Sequence, residues 1–288
     1  MPSLKEVKTR IASVNNTRKI TSAMKMVASS KLHRAQQSIE SMRPYESRMT
    51  RMMTSFVGSM EGDINTPYAA VRPVKRVAIV VYTSNSSLCG GFNANAIRAL
   101  RNKVEAYRNQ GVEVVRIVPL GKKGADAVRK LGFADLPDFT RLLDHPTFQA
   151  AADIAEELMQ QFVAGEIDQV DVVYHHFKSS ATQVLTEETF LPVQLPKAET
   201  TSGVAADYIV EPSREVVVQQ LIPSVLRLQL YTALLDSLAS EHAARVIAMQ
   251  IATDNADELL QELTLTYNKT RQQAITTELL DIVGGSMQ

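Results

Sequence analysis

Between Ser3 and Val57 the chain contains no glycine, and between Ser224 and Val283 it contains neither glycine nor proline. Each stretch reads as one long helix. At ~1.5 Å rise per residue these would span roughly 80 and 90 Å, whereas a compact domain of 288 residues has a radius of gyration of about 19 Å. Neither helix fits inside a globule, so both must project from it. Their apolar stripes then have to pair with each other or with a partner.

In the first stretch Leu4, Val7, Ile11 and Val14 follow coiled-coil spacing, and Ile20, Met24 and Val27 resume it after the polar run Asn15 to Lys19. That reading predicts a slip of register between the two runs. Pro44 threatens a kink, and the helix is expected to bend or end near Gly58. In the last stretch the frame is longer: Leu228, Tyr231, Leu235, Leu238, His242, Arg245, Met249, Ala252, Ala256, Leu259 and Leu263. His242 and Arg245 are expected to drift outward from this seam. From Asn268 to Gln273 no hydrophobic face remains, which suits a solvated or partner-lined tip.

The formal net charge of +0 hides an asymmetry. Residues 1 to 51 hold eleven Lys and Arg against three acids, while residues 204 to 288 hold five against eleven. Opposite fields favour pairing the two ends, although a basic helix by itself would suggest nucleic acid.

Between the ends the pattern is α/β. Val74 to Tyr82 reads as a buried strand, Asn93 to Arg108 as a helix and Val112 to Leu120 as a strand. Gly121 to Leu131 and Phe148 to Val163 then read as helices, Val170 to Phe177 and Thr182 to Leu191 as strands, and Pro192 to Ala206 as a linker. Strand alternating with helix predicts a Rossmann-like, mostly parallel sheet. The expected division is residues 1–58 and 207–288 as the two halves of a long antiparallel coiled coil, and residues 74–200 as an α/β foot.

Catalytic chemistry is not evident. Leu88 to Asn93 follows the first strand but is not a GxGxxG fingerprint, and Gly121-Lys122-Lys123-Gly124 lacks the ending of a phosphate loop. No cofactor is expected. Cys89, the single cysteine, has no adjacent base and can form no internal disulfide. His175 and His176 point to opposite faces of a strand, one to the core and one to the surface, so no metal site is expected. No apolar run is long enough to cross a bilayer, and the first residues do not resemble a secretion signal. The chain is therefore expected in the cytoplasm unless a partner holds it at a membrane. Three classes remain: a mechanical rod, a nucleic-acid-binding protein using the basic N-terminal helix, and an α/β enzyme with an unrecognised site.

Both ends resemble the gamma (rotor) subunit of F-type ATP synthases. The segment from Arg10-Ile11 through Asn16 to Ala28 and on to Ser30-Lys31-Leu32 carries the likeness at the start. At the other end it is carried by Ser240 to Arg245, Ala252 to Ala256, Tyr267-Asn268-Lys269, Ile275 to Glu278 and Asp281-Ile282-Val283. The resemblance implies a non-catalytic shaft standing in an α3β3 hexamer, with a foot on the membrane c-ring beside epsilon, at the cytoplasmic face of the inner membrane. It implies β-subunit coupling contacts at Met24, Lys25, Arg245, Gln272, Thr276 and Glu278, with Arg245 facing outward. It also implies c-ring contacts at Tyr208 and Glu211. The chain departs from the family at Asn85-Ser86-Ser87, where an acidic and basic pair before a glycine is usual, and at Gly285, where alanine is usual.

Overall fold

In the computed structural model, which describes residues 3–58, 66–134, 136–194, 211 and 213–285, the Val74 to Tyr82 run becomes β1 (Arg76–Tyr82). Its neighbouring side chains point to opposite faces. Val77, Ile79 and Val81 enter one apolar cluster, and Ala78, Val80 and Tyr82 enter the other. Burial on both faces explains why the strand is apolar throughout rather than alternating.

The remaining elements are α1 (Leu4–Gly58), a single 3-10 turn (Pro67–Ala69), α2 (Phe92–Asn109), β2 (Glu113–Leu120), α3 (Lys122–Lys130), α4 (Thr140–Asp144), α5 (Phe148–Val163), β3 (Gln169–Phe177), β4 (Gln183–Leu191) and α6 (Arg214–Gly285). The sheet order is β2-β1-β3-β4. The first three strands are parallel and β4 is antiparallel to β3, because the short connection after Phe177 cannot make a crossover. Helices α2 and α3 cover one face, and α4, α5 and the first half of α6 cover the other. The expected linker falls largely on residues 195–210, outside the described residues.

The chain packs as two units, one of Met1–Ser30 with Arg245–Gln288 and one of Lys31–Ala244. In the first unit the two helix segments run antiparallel: Arg18 meets Asp257 at 2.9 Å, Thr21 meets Thr253 at 2.8 Å and Lys25 meets Gln250 at 2.6 Å. As one number rises the other falls. Along α1 the seam keeps strict heptad spacing: Leu4, Val7, Ile11, Val14, Arg18, Thr21, Lys25 and Ala28 are buried or half-buried. The predicted register slip does not occur. The seam turns polar instead, and Ile20, Met26 and Val27 lie 59%, 64% and 60% exposed. In the second unit the same spacing continues at Leu32, Ile39, Glu46 and Met53. Helix α1 passes through Pro44, which is exposed and forfeits one donor without ending the helix.

The α6 frame holds over its full predicted length, and the expected outward drift does not. Arg245 is only 9% exposed and His242 is half-buried, because a strict seven-residue repeat keeps both in the seam.

Gly121 shows why small residues sit after β2. Its φ is +111°, and an added Cβ would lie 2.5 Å from the Thr83 carbonyl oxygen. Thr83 Oγ1 in turn accepts from the Gly124 N–H at 2.8 Å. Gly121→Ala is expected to cost about 2 kcal/mol from strained φ and overpacking, read as a lower midpoint in urea unfolding of the full chain.

Candidate coupling surfaces

An open α/β sheet offers a ligand crevice where neighbouring crossovers diverge, outside the carboxyl ends of the strands. Here that place lies at the ends of β1 and β3, and α6 closes it. The His175 N–H donates to Ser237 Oγ at 3.3 Å, and Ser240 Oγ donates to the His175 carbonyl at 3.1 Å. Tyr82, fully buried, donates its hydroxyl to the Leu230 carbonyl at 2.7 Å. Phe92, the first residue of α2, stacks on the His175 ring with centroids 4.4 Å apart. A side chain on Gly90 would begin 4.0 Å from the Ala244 carbonyl. The position that meets phosphate in nucleotide-binding relatives of this architecture is thus filled by the protein's own helix.

The loop between β1 and α2 is built to hold itself. Asn93 accepts from the Ser84 N–H at 2.9 Å and donates to Ser84 Oγ at 2.7 Å and to Cys89 Sγ at 3.1 Å. Cys89 is 1% exposed, in keeping with a packing role. Asn85, at the first departure from the family pattern, clasps two neighbouring segments: its amide donates to Thr140 O at 2.9 Å and its carbonyl accepts from the Lys122 N–H at 3.2 Å. His175 is buried, and burial lowers its pKa to about 4. His176 is exposed and pairs through Nδ1 with Asp236 at 2.6 Å, so the two rings diverge as the strand geometry predicts.

A cavity of about 700 Å³ lies in the second unit between α1, the β3–β4 hairpin and α6, with Arg43, Glu46, Tyr174, His176, Glu188 and Asp236 among its lining. Burial raises the pKa of Glu46, helped by the nearby Asp236 carboxylate, and burial likewise raises Asp236 against the opposing pull of His176. A chamber richer in carboxylates than in cations repels phosphate. Among the described residues no group of His, Cys, Asp and Glu could hold a metal ion.

The residues expected to contact partners fall into separate stations. Met24 and Lys25 are half-buried in the helix pair, where Lys25 Nζ donates to Gln250 at 2.6 Å. Arg245 lies on α6 little more than a turn from Gln250. Gln272, Thr276 and Glu278 are exposed, roughly 40–50 Å further along α6 at 1.5 Å per residue. The pairing count puts the residue facing Leu4 near 271, so the end of α6 runs past α1 and leaves Ile275, Leu279, Leu280 and Ile282 exposed. Glu211 is exposed ahead of α6, and Tyr208 lies outside the described residues. Sequence reasoning missed the polar rungs Arg18–Asp257 and Thr21–Thr253. Continuing the seven-residue interval from Leu4 and Ile11 to Arg18, and from Val7 and Val14 to Thr21, would have found their α1 halves.

A family model described as ATP synthase matches residues 3–287. The chain is 59% identical to the ATP synthase gamma chain of Phocaeicola vulgatus and 54% identical to that of Bacteroides thetaiotaomicron, covering all of each protein. Among solved structures it is similar to a chain of the Euglena gracilis mitochondrial ATP synthase (OSCP/F1/c-ring, rotational state 3), with TM-score 0.63, 23% identity and coverage of 99% of this chain and 93% of that one. A chain of the Tetrahymena thermophila mitochondrial ATP synthase central stalk and c-ring gives TM-score 0.58 and 24% identity, covering 81% of this chain and 99% of that one. At these identities the two structures speak for the fold. With a match along nearly its whole length and close relatives of one kind, the chain belongs to the ATP synthase gamma chain family.

Proposed function

We propose that this chain is the central rotor shaft of an F-type ATP synthase, a non-catalytic subunit that couples ion-driven rotation of a c-ring to ATP synthesis, and to hydrolysis in reverse. The observation that carries the reading is the antiparallel pairing of the two chain ends through Arg18–Asp257, Thr21–Thr253 and Lys25–Gln250, together with an α6 end that outruns α1. The crevice of the α/β unit is closed, which suits a load-bearing body better than an enzyme. The basic face of α1 is partly engaged within the chain by Asp257 and Gln250, which weighs against nucleic acid.

In this reading residues 1–58 and 207–288 form the axle and residues 74–200 the foot. The axle stands in an α3β3 hexamer, and the foot sits on the c-ring beside epsilon at the cytoplasmic face of the membrane. Among the described residues no helix is long and apolar enough to cross a membrane, so attachment runs through the ring. Met24 and Lys25 form one station against the catalytic β subunits, with Arg245 behind them in the seam at 9% exposure, and Gln272, Thr276 and Glu278 form a second; Tyr208 and Glu211 meet the ring. Different faces of the axle meet the three β subunits as it turns. Each orientation contacts some β conformations better than others, and that difference shifts their nucleotide affinity.

Two experiments test the reading. The chain is mixed with α and β subunits, and ATPase activity that does not depend on it sinks the proposal. Met24→Lys adds a second cation beside Lys25, where the family resemblance puts an acidic loop of β. A new ion pair of about 1 kcal/mol favours some rotor orientations about fivefold, so fewer ions are expected to move per ATP hydrolysed in membrane vesicles. Unchanged stoichiometry would remove Met24 and Lys25 from the coupling surface.

A further inference from the structure

Two long helices leave the α/β unit, and they are attached to it very differently. Among the described residues, helix α6 places Val218, Ile222, Leu226, Leu230, Leu234 and Leu238 in the core cluster beneath the sheet, whereas α1 places Met53 there. The directional bonds carry the same bias. Besides the bonds from Tyr82 to Leu230, from His175 to Ser237 and from Ser240 to His175, Arg227 grips Glu156 of α5 through Nε at 2.9 Å and Nη2 at 2.6 Å, and Asp236 holds His176 at 2.6 Å. Among the described residues α1 reaches the sheet through Arg43 Nη2 to the Phe177 carbonyl at 3.1 Å, and it meets α6 where Thr232 donates to Glu46 at 3.4 Å.

The ties on α6 run from residue 227 to 240, about 20 Å of helix at 1.5 Å per residue, and they spread over about half its circumference at 100° per residue. Apolar contact is non-directional and tolerates small rotations. Hydrogen bonds weaken steeply as their angles bend. A helix held at several heights and azimuths by such bonds cannot turn about its own axis without breaking them.

We propose that α6, rather than α1, carries torque out of the α/β unit, and that Tyr82, His175, Ser237 and Ser240 are the positioning residues of that joint. The proposal rests on the rotor reading given above and assigns a load path within it. A crevice that holds a ligand in other α/β proteins serves here as the socket of the driving helix.

The test uses the whole complex in vesicles carrying Ser237→Ala with Ser240→Ala, or Tyr82→Phe should the double variant fail to assemble. Loss of two hydrogen bonds is expected to speed amide exchange over residues 227–240 about 30-fold. Hydrolysis by the detached, unloaded α3β3 particle with this chain should stay at the wild-type rate. ATP synthesis against a load should fall, and fall further than with Arg43→Ala, which cuts the α1 tie. Wild-type synthesis despite faster exchange would overturn the proposal, as would an equal loss in Arg43→Ala. Failure of the rotor reading itself shows earlier and separately, as hydrolysis by the wild-type complex that does not require this chain.

Discussion

Replacing Lys103 by methionine is expected to lower the thermal midpoint of the full chain by about 10 °C, from a loss of about 3 kcal/mol. Lys103 Nζ lies 2.9 Å from Asp171 Oδ2, and the Asp171 carboxylate is fully buried in β3. Tyr107 donates to the same oxygen, while Gln169 at 2.9 Å and Thr189 at 3.3 Å donate to the other. Methionine keeps most of the lysine stem and removes the cation, leaving a buried charge with neutral donors only. Coupling to Asp171 raises the phenol pKa of Tyr107 beyond the rise that burial imposes, so the phenol stays a donor. Adding Asp171→Leu to Lys103→Met should restore much of the loss, because an unpaired charge costs more than an apolar pair in its place. If Lys103→Met melts with the wild type, the ion pair carries no stability. If the double variant melts lowest, hydrogen bonding at Asp171 outweighs its charge.

The second large effect follows pH. The His175 imidazole is held neutral down to about 4 by burial, whereas an unfolded histidine titrates near 6.5. Between those values the unfolded chain binds a proton that the folded chain refuses. Stability is therefore undiminished above about pH 6.5 and falls as pH drops toward 4, by about 3 kcal/mol in all. Glu46 and Asp236 work the other way, since their raised pKa values let the folded chain gain protons first on acidification. The difference between wild type and His175→Phe isolates the histidine. His175 Nδ1 has no hydrogen-bond partner among the described residues, so phenylalanine can replace the ring against Phe92 with little polar loss. Urea midpoints from pH 7 to 5 should fall less steeply in the variant. Parallel curves would place the proton elsewhere.

The sequence made β1 and the α6 frame plain, because β1 holds one unbroken apolar run rich in β-branched residues and α6 keeps a seven-residue repeat from Leu228 to Leu263. It misled at residues 15 to 28 of α1, where Ile20 and Val27 are apolar and outward while Arg18, Thr21 and Lys25 are polar and inward. A hydrophobicity pattern follows chemistry, and a seam follows geometry; the two part where helices meet through hydrogen bonds. Arg245 failed for a different reason: its outward placement followed the drift of a roughly 3.6-residue period and the family resemblance, whereas its strict heptad position is internal and it is 9% exposed. The closed crevice was beyond pattern reading. Tyr82 and Leu230 are 148 residues apart, and nothing local to either announces the other. Asn85 was visible as an oddity, but its two clasping bonds depend on where Lys122 and Thr140 fold.

Antiparallel pairing of the two chain ends also sets a schedule for biosynthesis. Lys25 leaves the ribosome well before Gln250, the residue its ammonium finally meets at 2.6 Å, by roughly 10–45 s at about 5–20 residues per second. Throughout that wait Arg18, Thr21 and Lys25 lack the α6 residues they finally meet. Arg18, Thr21 and Lys25 on the waiting face keep it from presenting an unbroken greasy stripe to other nascent chains, so the polar rungs guard against misassembly before they ever bear a mechanical load.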